Sequence, residues 1–242
     1  MKARFWLVAA LVVALPAAAR AQGLAGRFTI AAQVGTQSEV AGNLMQSASG
    51  TLLDRPIEID SVRYRDVYAP DWRLQLLVGY GVGERTELIA RASWYESDGS
   101  GVEAGTMGGT PLFAFFDVTK YQEAGFEIGL RYYLASQARL KSWVAPVAGV
   151  RFVDEVLVSF SAQEQGSSIQ NVPFSKEGTV PVFGLDIGFS FDLSERLYIG
   201  MDTGIRYQTA SGQFDYLLGL TKIDDSDGRW SAPVVLSLGV RF

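Results

Sequence analysis

Apolar and polar residues alternate along much of the chain, most clearly in its last segment. There Val234, Leu236, Leu238, Val240 and Phe242 share one face, and Val235, Ser237, Gly239 and Arg241 share the other. This is the period of a strand, whose successive side chains point to opposite sides. The same period recurs upstream, so that 27–36, 72–83, 86–96, 119–134, 142–160, 179–192, 197–208 and 230–242 each read as a strand. In 72–83, Trp72, Leu74, Leu76, Val78, Tyr80 and Val82 oppose Arg73, Gln75, Gly79 and Gly81. In 179–192, Phe183, Leu185, Ile187, Phe189 and Phe191 oppose Gly184, Asp186, Gly188 and Ser190. One face is mostly apolar; the other is mostly small, polar or charged.

A final strand left unpaired is an edge that invites aggregation, and pairing it with the first strand removes that edge. The expected fold is therefore all-β: a transmembrane antiparallel up-and-down β-barrel of eight strands, an even count and the smallest common size. Short connections follow the second, fourth and sixth strands, whereas 37–71, 97–118, 161–178 and 209–229 are long. Such asymmetry places the long loops outside the cell and the turns in the periplasm. Trp72, Trp94, Tyr207 and Trp230 then ring one end of the apolar face, and Tyr80, Tyr132, Phe191 and Phe242 the other. Trp72 to Val82 spans roughly 33 Å along a strand, or about 25 Å at a tilt of ~40°. A soluble barrel or sandwich would turn those bulky side chains inward. Residues 57–68 read as a hairpin extending above the membrane, with a ten-strand barrel as the alternative if they cross it. Residues 111–116 either extend the fourth strand or cap the barrel.

The amino-terminal region adds a second line of argument. Lys2 and Arg4 precede an apolar run from Phe5 to Leu15, followed by Pro16 and Ala19-Arg20-Ala21. This is the order of a cleaved signal peptide, too short for a membrane-spanning helix. Residues 1–21 are expected to be removed, leaving 22–242 as the barrel domain in the bacterial outer membrane. Losing Lys2, Arg4 and Arg20 takes the net charge from −5 to −8. An acidic chain is a poor nucleic-acid partner. Cysteine is absent, so disulfides and thiol chemistry play no part.

The signal peptide, the eight amphipathic segments and the terminal Val-x-Leu-x-Leu-x-Val-x-Phe resemble the small outer-membrane barrels of the OmpA, OmpX and OmpW type. The resemblance covers 27–242 at the level of architecture and does not resolve a subfamily. It implies outer-membrane lipid as the surroundings. It also implies that the barrel-assembly machinery reads Val234, Leu236, Leu238, Val240 and Phe242 during insertion. No second domain follows the barrel, so cell-wall anchoring of the kind found in full-length OmpA proteins is not implied.

The sequence has no histidine. Catalytic outer-membrane barrels of similar architecture use histidine in their catalytic groups, and a hydroxyl or carboxylate nucleophile near neutral pH needs such a base. No catalytic residue, cofactor or metal is therefore expected. Asp224–Gly228 lacks the first and twelfth ligands of an EF-hand loop and reads as a solvated turn. The inward faces instead carry Arg73, Glu87, Arg91, Glu127, Arg131, Arg151, Glu155, Asp186, Asp202, Arg206 and Arg241. Eight strands enclose only enough room for side chains, so these charges either pair into a plug or exchange partners along a narrow polar path. The leading expectation is a non-enzymatic barrel with a structural or surface-exposed role and a charge-plugged lumen. The alternatives are a narrow channel for small or hydrophobic solutes and a loop-based adhesin or receptor of unspecified ligand.

Overall fold

The computed structural model describes residues 24–52, 54–116, 120–134, 139–162, 166–210 and 227–242. The expected signal peptide and Asp224–Ser226 lie outside them. Eight long strands close into a barrel: β1 (Phe28–Ala41), β6 (Asp71–Gly81), β7 (Thr86–Ser97), β10 (Tyr121–Tyr133), β11 (Leu140–Val153), β14 (Gly178–Asp192), β15 (Leu197–Gln208) and β16 (Arg229–Arg241). All neighbours are antiparallel, and β1 closes against β16 with Ile30 opposite Val240 and Val34 opposite Leu236. The ten-strand alternative is thereby excluded.

Period two sets the chemistry of the two barrel faces. Leu74, Ile128, Leu185 and Leu236 point outward and are each about half exposed. Their neighbours Arg73, Glu127, Asp186 and Val235 point inward and are buried. Aromatic contacts lie at both ends of the outer face: Tyr207 and Trp230 at the loop end have ring centroids 5.0 Å apart, and Phe28 and Tyr80 at the turn end 4.8 Å.

Of the long connections, 37–71, 97–118 and 161–178 are not loops. Six of their segments form a second sheet in the order β13-β12-β9-β8-β4-β3. These strands are β3 (Ala48–Leu52), β4 (Arg55–Ile59), β8 (Gly101–Met107), β9 (Thr110–Phe115), β12 (Val156–Ala162) and β13 (Ser167–Ser175). A small ladder of β2 (Asn43–Met45) and β5 (Val62–Arg63) leads into α1 (Tyr64–Val67). The expected hairpin at 57–68 is therefore one strand of the second sheet, a short strand and a helical turn. Likewise, 111–116 does not prolong a barrel strand: β9 belongs to the second sheet and buries Leu112, Ala114 and Phe116.

The fifth expected strand needs a larger correction. It stops at Val153, and beyond Asp154 and Glu155 the chain re-enters as β12 of the other sheet. Val156 and Val158, expected to face lipid, are buried in the core of this upper layer. Glu155 is exposed at the break and is not a lumen residue. Parity carried through the break gave it an inward face, but two residues outside either ladder reset the alternation.

The upper layer and the barrel mouth share one apolar core. Ile57, Met107, Leu112 and Phe160 from the second sheet cluster with Val67 and Tyr68 of the helical turn region. Tyr95, Tyr121, Val153 and Val180 join them from the inward faces of barrel strands. The second sheet is thus seated on the loop-end mouth and covers it.

A charged lumen as the candidate functional site

Ten of the eleven sequence-predicted lumen charges line the barrel interior and are buried: Arg73, Glu87, Arg91, Glu127, Arg131, Arg151, Asp186, Asp202, Arg206 and Arg241. Their strands deliver them because each sits at inward parity. Glycine makes the room. At Gly184 a Cβ atom would lie 2.5 Å from Arg206 Cδ, and at Gly125 one would lie 2.8 Å from both Arg151 Cδ and Ser93 Oγ. A methyl at either place displaces an arginine.

Glu127 is the hub at mid-lumen. It accepts hydrogen bonds from Arg91 at 3.2 Å and from Arg206 at 3.1 Å, and it pairs with Arg151; Arg73 lies 3.8 Å away. Arg206 also donates to both oxygens of Asp186 at 2.5 and 2.8 Å, and Arg91 donates to Asp186 at 3.0 Å. Planar guanidinium forks match carboxylates two bonds at a time, which is why arginine rather than lysine fills such sites. Toward the turn end, Arg131 donates to Glu87 at 3.0 Å while stacking 4.1 Å from the Trp143 ring. Tyr133 donates to the same Glu87 at 2.8 Å. Asp202 accepts from Gln33 at 2.7 Å. At the turn-end rim, Arg241 and Lys141 share Asp192, and Arg241 lies over Tyr198 at 4.0 Å.

The sequence reading missed the upper tier. Arg229 pairs with Glu123, donates to Glu39 at 3.3 Å and to Gln208 at 3.0 Å, and lies 4.7 Å from the Tyr121 ring and 5.4 Å from the Tyr64 ring. This one guanidinium joins β16, β10, β1 and β15 to α1, which sits above them. Glu39, Arg229 and Lys141 lay one to three residues beyond the expected segment ends, and Glu123 preceded the stretch of the fourth segment in which faces were resolved. Extending the parity of Gln37 to Glu39 and of Glu127 to Glu123 was the available signal.

Beside Arg91, Asp186, Asp202 and Arg206 there remains a void with room for about one water molecule. Chemically, the arrangement pairs opposite charges across strands and locks the strands together. Among the described residues no group of histidine, cysteine and acidic side chains is placed to hold a metal ion.

A closed ring of eight antiparallel strands, apolar outside and ionic inside, settles the architecture. The chain is a small eight-stranded barrel of the outer-membrane type. No protein-family model matches the sequence, and neither does any curated protein sequence. Among solved structures, the barrel is similar to the outer membrane protein OprG from Pseudomonas aeruginosa, at 16% identity and a TM-score of 0.48 over 92% of this chain and 99% of that one. It is also similar to neisserial surface protein A, at 13% identity and a TM-score of 0.45 over 90% and 96%.

Proposed function

We propose that the protein is a non-enzymatic outer-membrane barrel whose lumen is plugged by ion pairs and which displays a rigid sheet at the cell surface. The observation that carries this reading is the Glu127 hub beneath the second sheet. A carboxylate engaged by Arg91, Arg151 and Arg206 together sets a cluster of ion pairs across the middle of the lumen, and the covered mouth adds a second closure. The apolar outer belt with aromatic rims fits outer-membrane lipid. The terminal strand with outward Val234, Leu236, Leu238, Val240 and Phe242 fits recognition by the barrel-assembly machinery. In this orientation the second sheet is extracellular and the short turns are periplasmic.

Two experiments test the reading. In planar bilayers the folded wild-type protein is expected to show no stepwise conductance. Reproducible steps lost on substituting Arg91 or Arg131 would overturn the plug in favour of a narrow channel. Because the native chain has no cysteine, single cysteines report orientation cleanly. A membrane-impermeant maleimide should label Glu103→Cys in intact cells and Glu84→Cys only after the outer membrane is permeabilised. The reverse pattern inverts the topology.

A further inference from the structure

Among the described residues, the sheet edges are closed, blunted or very short except at β3. The barrel has no edge, because β1 closes on β16. The second sheet ends on β13 at one side and β3 at the other. β13 is blunted: Pro173 has no N–H to offer, Asn171 turns at φ 56°, and the register against β12 shifts twice. Irregularities of this kind keep an edge strand from templating another chain. The ladder of β2 and β5 is two or three residues long, and Asp227 holds Asn43 of β2 through its carbonyl and its side-chain amide, both at 3.1 Å. β3 carries none of these features. Ala48-Ser49-Gly50-Thr51-Leu52 contains no proline and no charge. It pairs with β4 over its whole length without a register shift and has no partner on its other side among the described residues. Ser49, Gly50 and Thr51 are exposed.

The backbone of β4 decides which groups this edge offers. The Pro56 carbonyl points away from β3 and accepts from Gly108 N at 2.7 Å. In an antiparallel strand the N–H and C=O of one residue point to the same side, and that side alternates along the chain. Ile57 therefore bonds with Gly50 opposite it, while Ser49 and Thr51, opposite Glu58 and Pro56, send their N–H and C=O outward. These two residues present donors and acceptors in register for an added strand. The side chains define the strand that fits. Ala48 packs on the core side, and Ile57 and Ile59 are buried there opposite Gly50 and Ala48. Ser49 lies on the outer face beside exposed Glu58. A residue added opposite Ser49 stands two strand spacings, about 10 Å, from Glu58, and the small Ser49 leaves a long basic side chain room to cross. Exposed Asp54 and Asp60 flank the same hairpin, where Arg55 is the single cation of residues 46–61. We infer that the β3 edge is a docking site for an extended cationic segment of another polypeptide. The segment adds a seventh strand to the second sheet, with basic residues on the outer face and apolar ones on the core side. A second copy of this chain would set the same acids against one another, so the occupant is a different chain. The inference rests on the reading that the second sheet is displayed to solution.

The test uses the folded protein in nanodiscs of zwitterionic lipid, with empty nanodiscs as the blank. The probe is the fluorescent peptide Lys-Val-Lys-Val-Lys-Val-Lys, its binding followed by anisotropy. Ser49→Pro removes an outward donor and leaves the ladder to β4 intact; it is expected to weaken binding about tenfold, the scale of one lost hydrogen bond. Glu58→Gln should weaken it several-fold at low salt, whereas Glu155→Gln, the same charge change away from the edge, should leave it unchanged. A second arm needs no variant and decides the matter if Ser49→Pro disturbs the hairpin. Methylating the backbone nitrogens of the peptide's lysines, which face β3, should abolish binding to the wild type; methylating those of the valines, which face away, should not. Absence of binding to the folded wild type would overturn the proposal. So would binding that survives lysine methylation, which is charge attraction alone. Dimers of the protein lost in Ser49→Pro without any peptide binding would assign the edge to a second copy instead. The binding signal does not depend on a closed lumen or on which mouth faces the periplasm, so failure here and failure of the plug are told apart.

Discussion

The two buried regions of this molecule are held together by opposite means. Inside the barrel, guanidiniums and carboxylates fill the space, and apolar contact is confined to residues such as Leu77, Ile89 and Val147. Above it, the second sheet and the barrel mouth share an ordinary hydrophobic core in which Phe116 meets Phe174 edge to face at 5.5 Å. The difference follows from what lies on the other side of each wall. A barrel strand in lipid spends its apolar residues outward, so polar ones remain for the inside, and these must satisfy one another. A sheet above the membrane has water on its far side and turns its apolar residues in. The lumen is therefore stabilised by specific partnerships and the upper layer by buried area.

Breaking one partnership at its hub should have the largest effect. Glu127→Gln leaves Arg91, Arg151 and Arg206 sharing a neutral amide in a site closed to solvent. Removing one member of a buried charge cluster costs about 3–5 kcal/mol. The measurement is the urea midpoint of unfolding in lipid or detergent, read by tryptophan fluorescence. A shift within error would mean that the lumen network is dispensable to stability.

In the upper layer, Phe116→Ala should cost about 3 kcal/mol, the lower end for a buried phenylalanine, and its signature should be local. Trypsin cleavage at Arg55 and Lys176 is expected to accelerate while heat-modifiable migration, a property of the closed barrel, stays unchanged. Joint loss of both would show that the two regions fold as one unit.

Legibility divides along the same line. The barrel strands are readable because the outward face stays apolar for ten or more residues, as in Trp72 to Val82. Lumen residues follow by parity from any secure neighbour, which places Arg91, Asp186 and Arg206. The end tiers escape because barrel strands run past the point where the outward residue ceases to be apolar: Glu39 and Arg229 lie above the apolar belt, where alternation no longer shows. The second sheet is opaque for a stronger reason. Its strands have between five and nine residues, and bulges at Glu103/Gly105, Val156/Leu157 and Val158/Phe160 shift the register within them. A bulge resets parity, so period two fails where it would be needed. Glu155 was misplaced because it lies in the break between the two sheets, where the alternation is interrupted as well.

A smaller expected effect separates packing from charge within the lumen. Trp143→Leu keeps an apolar side chain beside Arg131 but removes the ring beneath its guanidinium, 4.1 Å away. The loss of a desolvated cation–π contact is worth about 2 kcal/mol, to be read as a lowered urea midpoint with Arg131 still paired to Glu87. A loss as large as that of Glu127→Gln would mean that the ring is part of the hub.

The smallest effect comes from the same bond in the other setting. Lys120 Nζ lies 3.1 Å from Glu96 Oε1, nearly the 3.0 Å of Arg131 and Glu87, but on the exposed surface. Its hydrogen bonds to Glu96 and then to Asp98 raise the ammonium pKa above its ordinary value. A raised amine pKa means that whatever stability the pair adds is present at neutral pH and fades as pH rises through the alkaline range where Lys120 deprotonates. Water competes for every partner of an exposed pair. Lys120→Gln is therefore expected to leave the urea midpoint unchanged within error at neutral pH, while the lumen substitutions do not. Equal losses at both places would show that distance, rather than exclusion of water, governs ion pairing in this protein, and the separate treatment of its two regions would fall with it.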